Sequence, residues 1–191
     1  LAPKELDIHG NKYKDKKGCA IVVGNHVSFK DPFFYAGVFR KHYFRYIASE
    51  LVMDHSRKLI HFLLYYVGCI EINREIYDIE GIRTAVSDLK GGKSILMFPE
   101  GTLYHDNDDA LSQIKGGAIL LAVQSGVPII PAYSLKREHW YNKRVIVIGE
   151  PFKISDYTTR KFPTVPEMDK IDRYISDIAR NGDHSAMEKL L

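Results

Sequence analysis

Apolar residues fall into two rhythms along this chain. Short apolar runs occupy residues 19–24, 44–48, 69–72, 94–98, 127–133 and 144–148. Runs of that length, rich in β-branched and aromatic side chains, predict strands, and an unbroken run predicts one buried on both faces. Residues 5–9 predict a further strand at a sheet edge, followed by a solvated Lys-rich turn. Pro128 and Pro131 predict the start of a strand and a bulge within it.

The second rhythm is helical. Asp31-Pro32 predicts a helix over 32–39, with Asp31 as N-cap and Pro32 at the first helical position. Residues 75–90 carry Ile79, Ile82, Val86 and Leu89 at helical spacing and stop at Gly91-Gly92. Residues 115–124 predict a helix closed by Ser125-Gly126, and 166–180 an amphipathic one with Met168, Ile171, Ile175 and Ile178 on one face. Residues 57–67 predict a helix too apolar for a one-faced surface position, so it fills the core, meets a membrane or lines an acyl chain. The alternation predicts an α/β fold. It is expected to be one domain over residues 1–191, with a mainly parallel mixed sheet flanked by helices.

Composition narrows the class. A chain of 191 residues with 45% hydrophobic and 27% charged content is long enough for one substantial core. The net charge of +3 suits an anionic partner without demanding one. Cys19 and Cys69 both sit in strand-like runs, which predicts buried free thiols and a cytosolic setting. No apolar run is long enough to cross a bilayer. The first residue is Leu1, so an anchor upstream stays open.

Chemistry concentrates at the ends of predicted strands. His26 follows the 19–24 run after one residue, Asn25, and Asp31 stands five residues on, at a helix mouth. In open α/β sheets that edge binds ligands. An imidazole takes a hydroxyl proton at one nitrogen when a carboxylate holds the other as a donor. No Gly-x-Ser-x-Gly elbow accompanies the pair, so the hydroxyl is expected to come from the substrate. Arg74 follows the 69–72 strand, where its guanidinium offers a fork to phosphate or carboxylate. Glu100, within Phe98-Pro99-Glu100-Gly101-Thr102, follows the 94–98 strand, and Lys115-Gly116-Gly117 opens a helix, a place that favours an anion. Singly, each has a plainer reading: Arg74 pairs with Glu71 or Glu75, Glu100 caps a turn, and Lys115 belongs to a loop.

Together and in order, these motifs resemble those of the glycerolipid acyltransferase superfamily, whose best-known members are the 1-acyl-sn-glycerol-3-phosphate acyltransferases. The resemblance covers about residues 18–150. Asn25-His26-Val27-Ser28-Phe29-Lys30-Asp31 is similar to the first motif, and Gly68 to Arg74 to the second. Phe98 to Thr102 is similar to the third, Val127 to Pro131 to the fourth, and Lys115-Gly116 to the step between those two.

The resemblance implies transfer of a fatty acyl group from acyl-CoA or acyl-ACP to a lysophospholipid hydroxyl, with 1-acylglycerol-3-phosphate giving phosphatidate. It implies His26 as general base and Asp31 as its orienting partner. It places Arg74, Glu100, Gly101 and Thr102 on the acceptor's phosphate and glycerol. Asn25, Ser28, Lys115 and Pro128 complete the substrate site, and backbone N–H groups near the His26 loop supply oxyanion donors. A thioester is already activated, so neither metal nor further cofactor is implied. The setting implied is the cytoplasmic face of a membrane, held peripherally. One departure stands out. The family commonly has Arg after Phe-Pro-Glu-Gly-Thr; here Leu103 follows, then an acidic run. A different hydroxyl acceptor is therefore open, and Lys115 is the cation placed to compensate.

Other classes are weighed against this. His105 to Asp109 offers a metal-binding loop, though acidic loops are more often solvated and no second ligand cluster partners it. Leu89 to Ser94 fails as a phosphate loop because Ser87 stands where the first Gly is needed and a strand follows. A non-catalytic lipid-binding module is the main alternative. Arg40, Lys41, Arg57, Lys58, Lys136, Arg137, Lys143 and Arg144 alternate with Tyr43, Phe44, Trp140 and Tyr141, a composition suited to anionic lipid. No recognised nucleic-acid motif accompanies them.

Overall fold

The computed structural model describes residues 6–9, 14–15, 17–26, 28, 30–49, 66–72, 78–98, 117–134, 144–156, 170 and 173. The strands are β1 (Leu6–His9), β2 (Ile21–Gly24), β3 (Phe44–Ser49), β4 (Cys69–Ile72), β5 (Ser94–Met97), β6 (Ile129–Ser134) and β7 (Arg144–Ile148). The helices are α1 (Asp31–Val38), α2 (Ile79–Lys90) and α3 (Gly117–Ser125), and Ile154–Asp156 forms a 3₁₀ turn. One sheet contains all these strands in the order β1-β7-β6-β2-β5-β3-β4. Every pairing is parallel except β6 with β7. The expected mainly parallel mixed sheet is therefore present, with β1 at one edge.

β2 and β5 lie near the middle and are buried throughout. Alternation along them builds two cores. Ile21, Val23, Ile95 and Met97 face α2 and α3. Val22 and Leu96 face Tyr35 and Val38 of α1. The chain thus leaves β2 onto one face, whereas the next described helix after β5 covers the other. Such a divergence opens a crevice at the adjoining carboxyl ends.

Several expectations change in detail. Lys30, not Asp31, is the N-cap of α1, and Asp31 is the first helical residue. In α2 the buried stripe is Gly81, Ala85 and Leu89, flanked by Ile82 and Val86, while Ile79 is exposed. Small residues win that stripe because α2 lies close on β4: a Cβ at Gly81 would stand 2.9 Å from the Glu71 carbonyl oxygen. Asp78 caps the helix through Gly81 N–H at 2.9 Å. Its far end turns at Gly92, at φ +88°, as the Gly-Gly stop predicts. Pro131 makes no bulge in β6, since its register with β2 runs unbroken from Ile21↔Ile129 to Gly24↔Ala132. The offset falls on the opposite segment: Gly149 N–H bonds Pro131 O, yet Phe152 stands opposite Ile129. Lys93 pairs with Asp88 at 2.7 Å, beside Arg45 on the same carboxylate at 2.8 Å. Cys19 and Cys69 are free thiols, and burial pushes the Cys69 thiol up to about 11, which keeps it protonated. The helices expected over 57–67 and 166–180 lie outside the described residues apart from isolated positions. Among the described residues no helix is long and apolar enough to cross a membrane.

The amino-terminal rim holds a polar knot. Ser94 Oγ accepts from Ala20 N–H at 3.1 Å and bonds His42 Nδ1 at 2.8 Å. His42 stacks on Phe44 and meets the edge of Phe39. Among the described residues its Nε2 is buried with no hydrogen-bond partner. Burial lowers the His42 pKa below its ordinary 6.5. The unfolded chain therefore takes up a proton at this residue as pH drops below 6.5, while the folded chain does not. Stability contributed here is complete above 6.5 and falls as pH descends toward the folded value. The expected outcome is a urea midpoint that drops between pH 7 and pH 5, with a smaller drop in His42→Asn. Equal drops in parent and variant would remove His42 from the account.

Candidate active site

The site begins where β2 runs out of backbone partners. Its ladder with β6 ends at Gly24↔Ala132. Asn25 then continues the pairing with its side chain. The Asn25 carboxamide donates from Nδ2 to Ser134 O at 2.9 Å, and its Oδ1 accepts from Ser134 N–H at 2.8 Å. Oδ1 also accepts from the Tyr35 hydroxyl at 2.9 Å. The Tyr35 hydroxyl lies 3.3 Å from Ala132 O as well. The Tyr35 ring lies against Gly24, where an added Cβ would be 2.7 Å from Cζ. Glycine at 24 is a matter of space for that ring.

Beyond this tie the chain emerges from the interior, and His26 is 18% exposed at its side chain. One face of its ring stacks on Phe98, with centroids 4.4 Å apart and planes 15° from parallel. Phe98 directly follows β5, the strand beside β2. His26 Nδ1 lies 3.4 Å from Asp31 Oδ2, long for a hydrogen bond in the resting protein. The same oxygen accepts from Ser28 N–H at 2.7 Å, and the Asp31 side chain is fully buried. A proton on Nδ1 satisfies that carboxylate. Nε2 is then the ring atom that carries the lone pair, the arrangement a general base requires.

The profile of the family described as Acyltransferase matches residues 5–135, more than half of the chain. This chain belongs to the acyltransferase family. The match includes β2, the His26 loop, α1, Phe98 and Ser134. A 1-acyl-sn-glycerol-3-phosphate acyltransferase from Borreliella burgdorferi is 27% identical over 156 residues, covering 76% of this chain and 57% of that protein. The chain thus spans little more than half the length of that relative. The crystal structure of the 1-acyl-sn-glycerophosphate (LPA) acyltransferase PlsC from Thermotoga maritima superposes with a TM-score of 0.62 at 22% identity. The overlap is 97% of this chain and 72% of that one, a likeness of fold.

In this acyltransferase-family chain, the structure brings His26, Asp31, Ser28 and Asn25 together. Arg74, Glu100, Gly101, Thr102 and Lys115 lie outside the described residues, as do Leu103 and the loop from His105 to Asp109. Two expectations change. Asn25, expected to hold substrate, is 1% exposed with its carboxamide bonded inside the fold, so its side chain braces the loop instead. Pro128, expected in the substrate site, precedes β6 at the opposite rim. Its carbonyl accepts from Ile21 N–H at 2.9 Å, at the start of β2, about 16 Å from His26 at the ~3.3 Å rise of a strand residue. Ser28 N–H is engaged by Asp31, which removes it from the set of oxyanion donors. The sequence reading missed Tyr35, Phe98 as a stacking partner, and Ser134. A buried tyrosine needs a partner for its hydroxyl, and Tyr35 stands one helical turn after Asp31; that spacing was the available signal. Among the described residues no group of three or more His, Cys, Asp and Glu gathers to hold a metal.

Space at residue 24 is open to direct test. Gly24→Ala is expected to lower stability by about 1–3 kcal/mol, since its methyl meets the Tyr35 ring. Gly37→Ala meets nothing within 4 Å in α1, and is expected to raise it by about 0.5–1 kcal/mol. Urea unfolding of both variants checks the pair. A Gly24→Ala protein as stable as the parent would contradict the packing described.

Proposed function

We propose that this chain is an O-acyltransferase that moves a fatty acyl group from an acyl thioester to the hydroxyl of 1-acylglycerol-3-phosphate, giving phosphatidate. The observation that carries the reading is His26 Nδ1 facing the buried Asp31 carboxylate at the carboxyl rim; in the Nδ1–H tautomer Nε2 is the proton acceptor. In the reaction Nε2 takes the hydroxyl proton as the acceptor oxygen attacks the thioester carbonyl. The tetrahedral intermediate expels the thiolate, and the imidazolium returns the proton to sulfur. One ester forms, one thioester breaks, and the histidine ends as it began. Asp31 stabilises the imidazolium between those transfers. The donor is acyl-CoA or acyl-ACP, and its activated carbonyl needs no metal and no covalent enzyme intermediate. The named relatives and the first and third motifs support the acceptor. Arg74, Glu100, Gly101, Thr102 and Lys115 are the residues proposed to hold its phosphate and glycerol.

The proposed setting is the cytoplasmic surface of a membrane, where the acceptor resides. Exposed Phe33, beside exposed Lys30 at the His26 rim, supports this setting. Phe44, grouped with Arg40, Lys41 and Tyr43 by sequence, is buried in the core and takes no part.

Free-thiol release from acyl-CoA and acyl-ACP, with 1-acylglycerol-3-phosphate and with other hydroxyl acceptors, tests the proposal. His26→Ala is expected to slow transfer by about 10²–10⁴ while keeping the circular dichroism of the parent. A folded His26→Ala protein that transfers at the parent rate would remove His26 from the chemistry. Transfer confined to another acceptor would implicate Leu103 in the choice. Vesicle binding without transfer from either donor would leave a lipid-binding module in its place.

A further inference from the structure

Asp31 and Tyr35 are four residues apart on α1, share its buried face, and are both fully buried. Asp31 meets the imidazole of His26. Tyr35 meets three residues around it: Asn25, Gly24 and Phe98. Its hydroxyl donates to Asn25 Oδ1 at 2.9 Å, the residue immediately before His26. Its ring fills the space at Gly24, the residue before that. Its ring also meets Phe98 edge-on, with centroids 5.7 Å apart and planes at 68°. Phe98 is the surface on which His26 stacks.

We infer that Tyr35 is a positioning residue for His26: its hydroxyl fixes Asn25 and thereby the direction in which the imidazole leaves β2 toward Asp31. α1 then supports the base from two sides, through the carboxylate directly and through Asn25 and Phe98 indirectly. The 3.4 Å separation of Nδ1 from Oδ2 makes this support matter. A contact that long does not by itself confine the ring, so the approach of Nδ1 depends on how the backbone delivers it. The kinetic part of this inference rests on the proposed function; the conformational part does not.

Tyr35→Phe isolates the hydroxyl. The ring stays against Gly24 and Phe98, and Asn25 Oδ1 keeps Ser134 N–H at 2.8 Å, so the fold persists. Two readouts apply. With ¹⁵N-labelled histidine, the His26 ring of the parent is expected to show one dominant tautomer, protonated at Nδ1, and that of Tyr35→Phe a mixture. In acyl transfer, kcat is expected to fall about 10–100-fold with KM within about twofold, the pattern of a misplaced base. Asn25→Ala removes that bond together with both bonds to Ser134, and is expected to repeat both readouts with a larger drop in urea midpoint. Tyr35→Phe in the Asn25→Ala background is expected to change kcat by less than about twofold. A Tyr35→Phe protein with parental His26 nitrogen shifts and parental kcat, altered only in its urea midpoint, would reduce Tyr35 to core filling. If the parent transfers no acyl group to any acceptor, the proposed function fails, and the nitrogen shifts alone decide the role of Tyr35.

Discussion

A carboxylate sealed from solvent has to be met by donors, and Asp31 is that group here. Its side chain is fully buried, where an unpaired charge costs several kcal/mol. The loop between β2 and α1 is shaped around this demand. Ser28 turns its N–H onto Oδ2 at 2.7 Å, and His26 brings Nδ1 to the same oxygen. The first turn of α1 favours the charge as well, because the helix dipole places its positive end there. One oxygen thus serves both the loop, through Ser28, and the base, through His26.

The sheet supplies the rigidity that this interaction needs. β2 lies between β5 and β6, and each neighbour contributes one fixture at the carboxyl rim. β5 leads into Phe98, the plane beneath the imidazole, and β6 ends at Ser134, the backbone partner of Asn25. Both cores converge on these strands, so shifting any of the three would disturb packing on both faces. His26 sits on a loop tied one residue earlier, through Asn25, to the end of β6, and Asp31 opens α1.

Local patterns announced the elements, and long-range contacts decided the site. β4 and β7 have the limits their apolar runs predict, because a run that short has few alternatives. His26 and Asp31 were readable because five residues separate them. Asn25 and Ser134 are 109 residues apart, and no periodicity connects them. Asp31 was misread as an N-cap for a local reason. Aspartate before proline usually caps forward onto the helix, whereas this one reaches back to Ser28 and His26. Pro128 was assigned to the substrate site by motif order alone. Strand direction, which a motif does not carry, places it at the far rim.

The account stands on the charge of Asp31 acting through His26. Single-turnover acyl transfer by Asp31→Asn tests it most directly, because the amide keeps the shape of the side chain while removing the charge and one of the two acceptor oxygens that hold a proton on Nδ1. The account predicts a fall of about 10²–10⁴ in the transfer step, with donor and acceptor binding and far-ultraviolet circular dichroism unchanged. Transfer by folded Asp31→Asn within about threefold of the parent would contradict it.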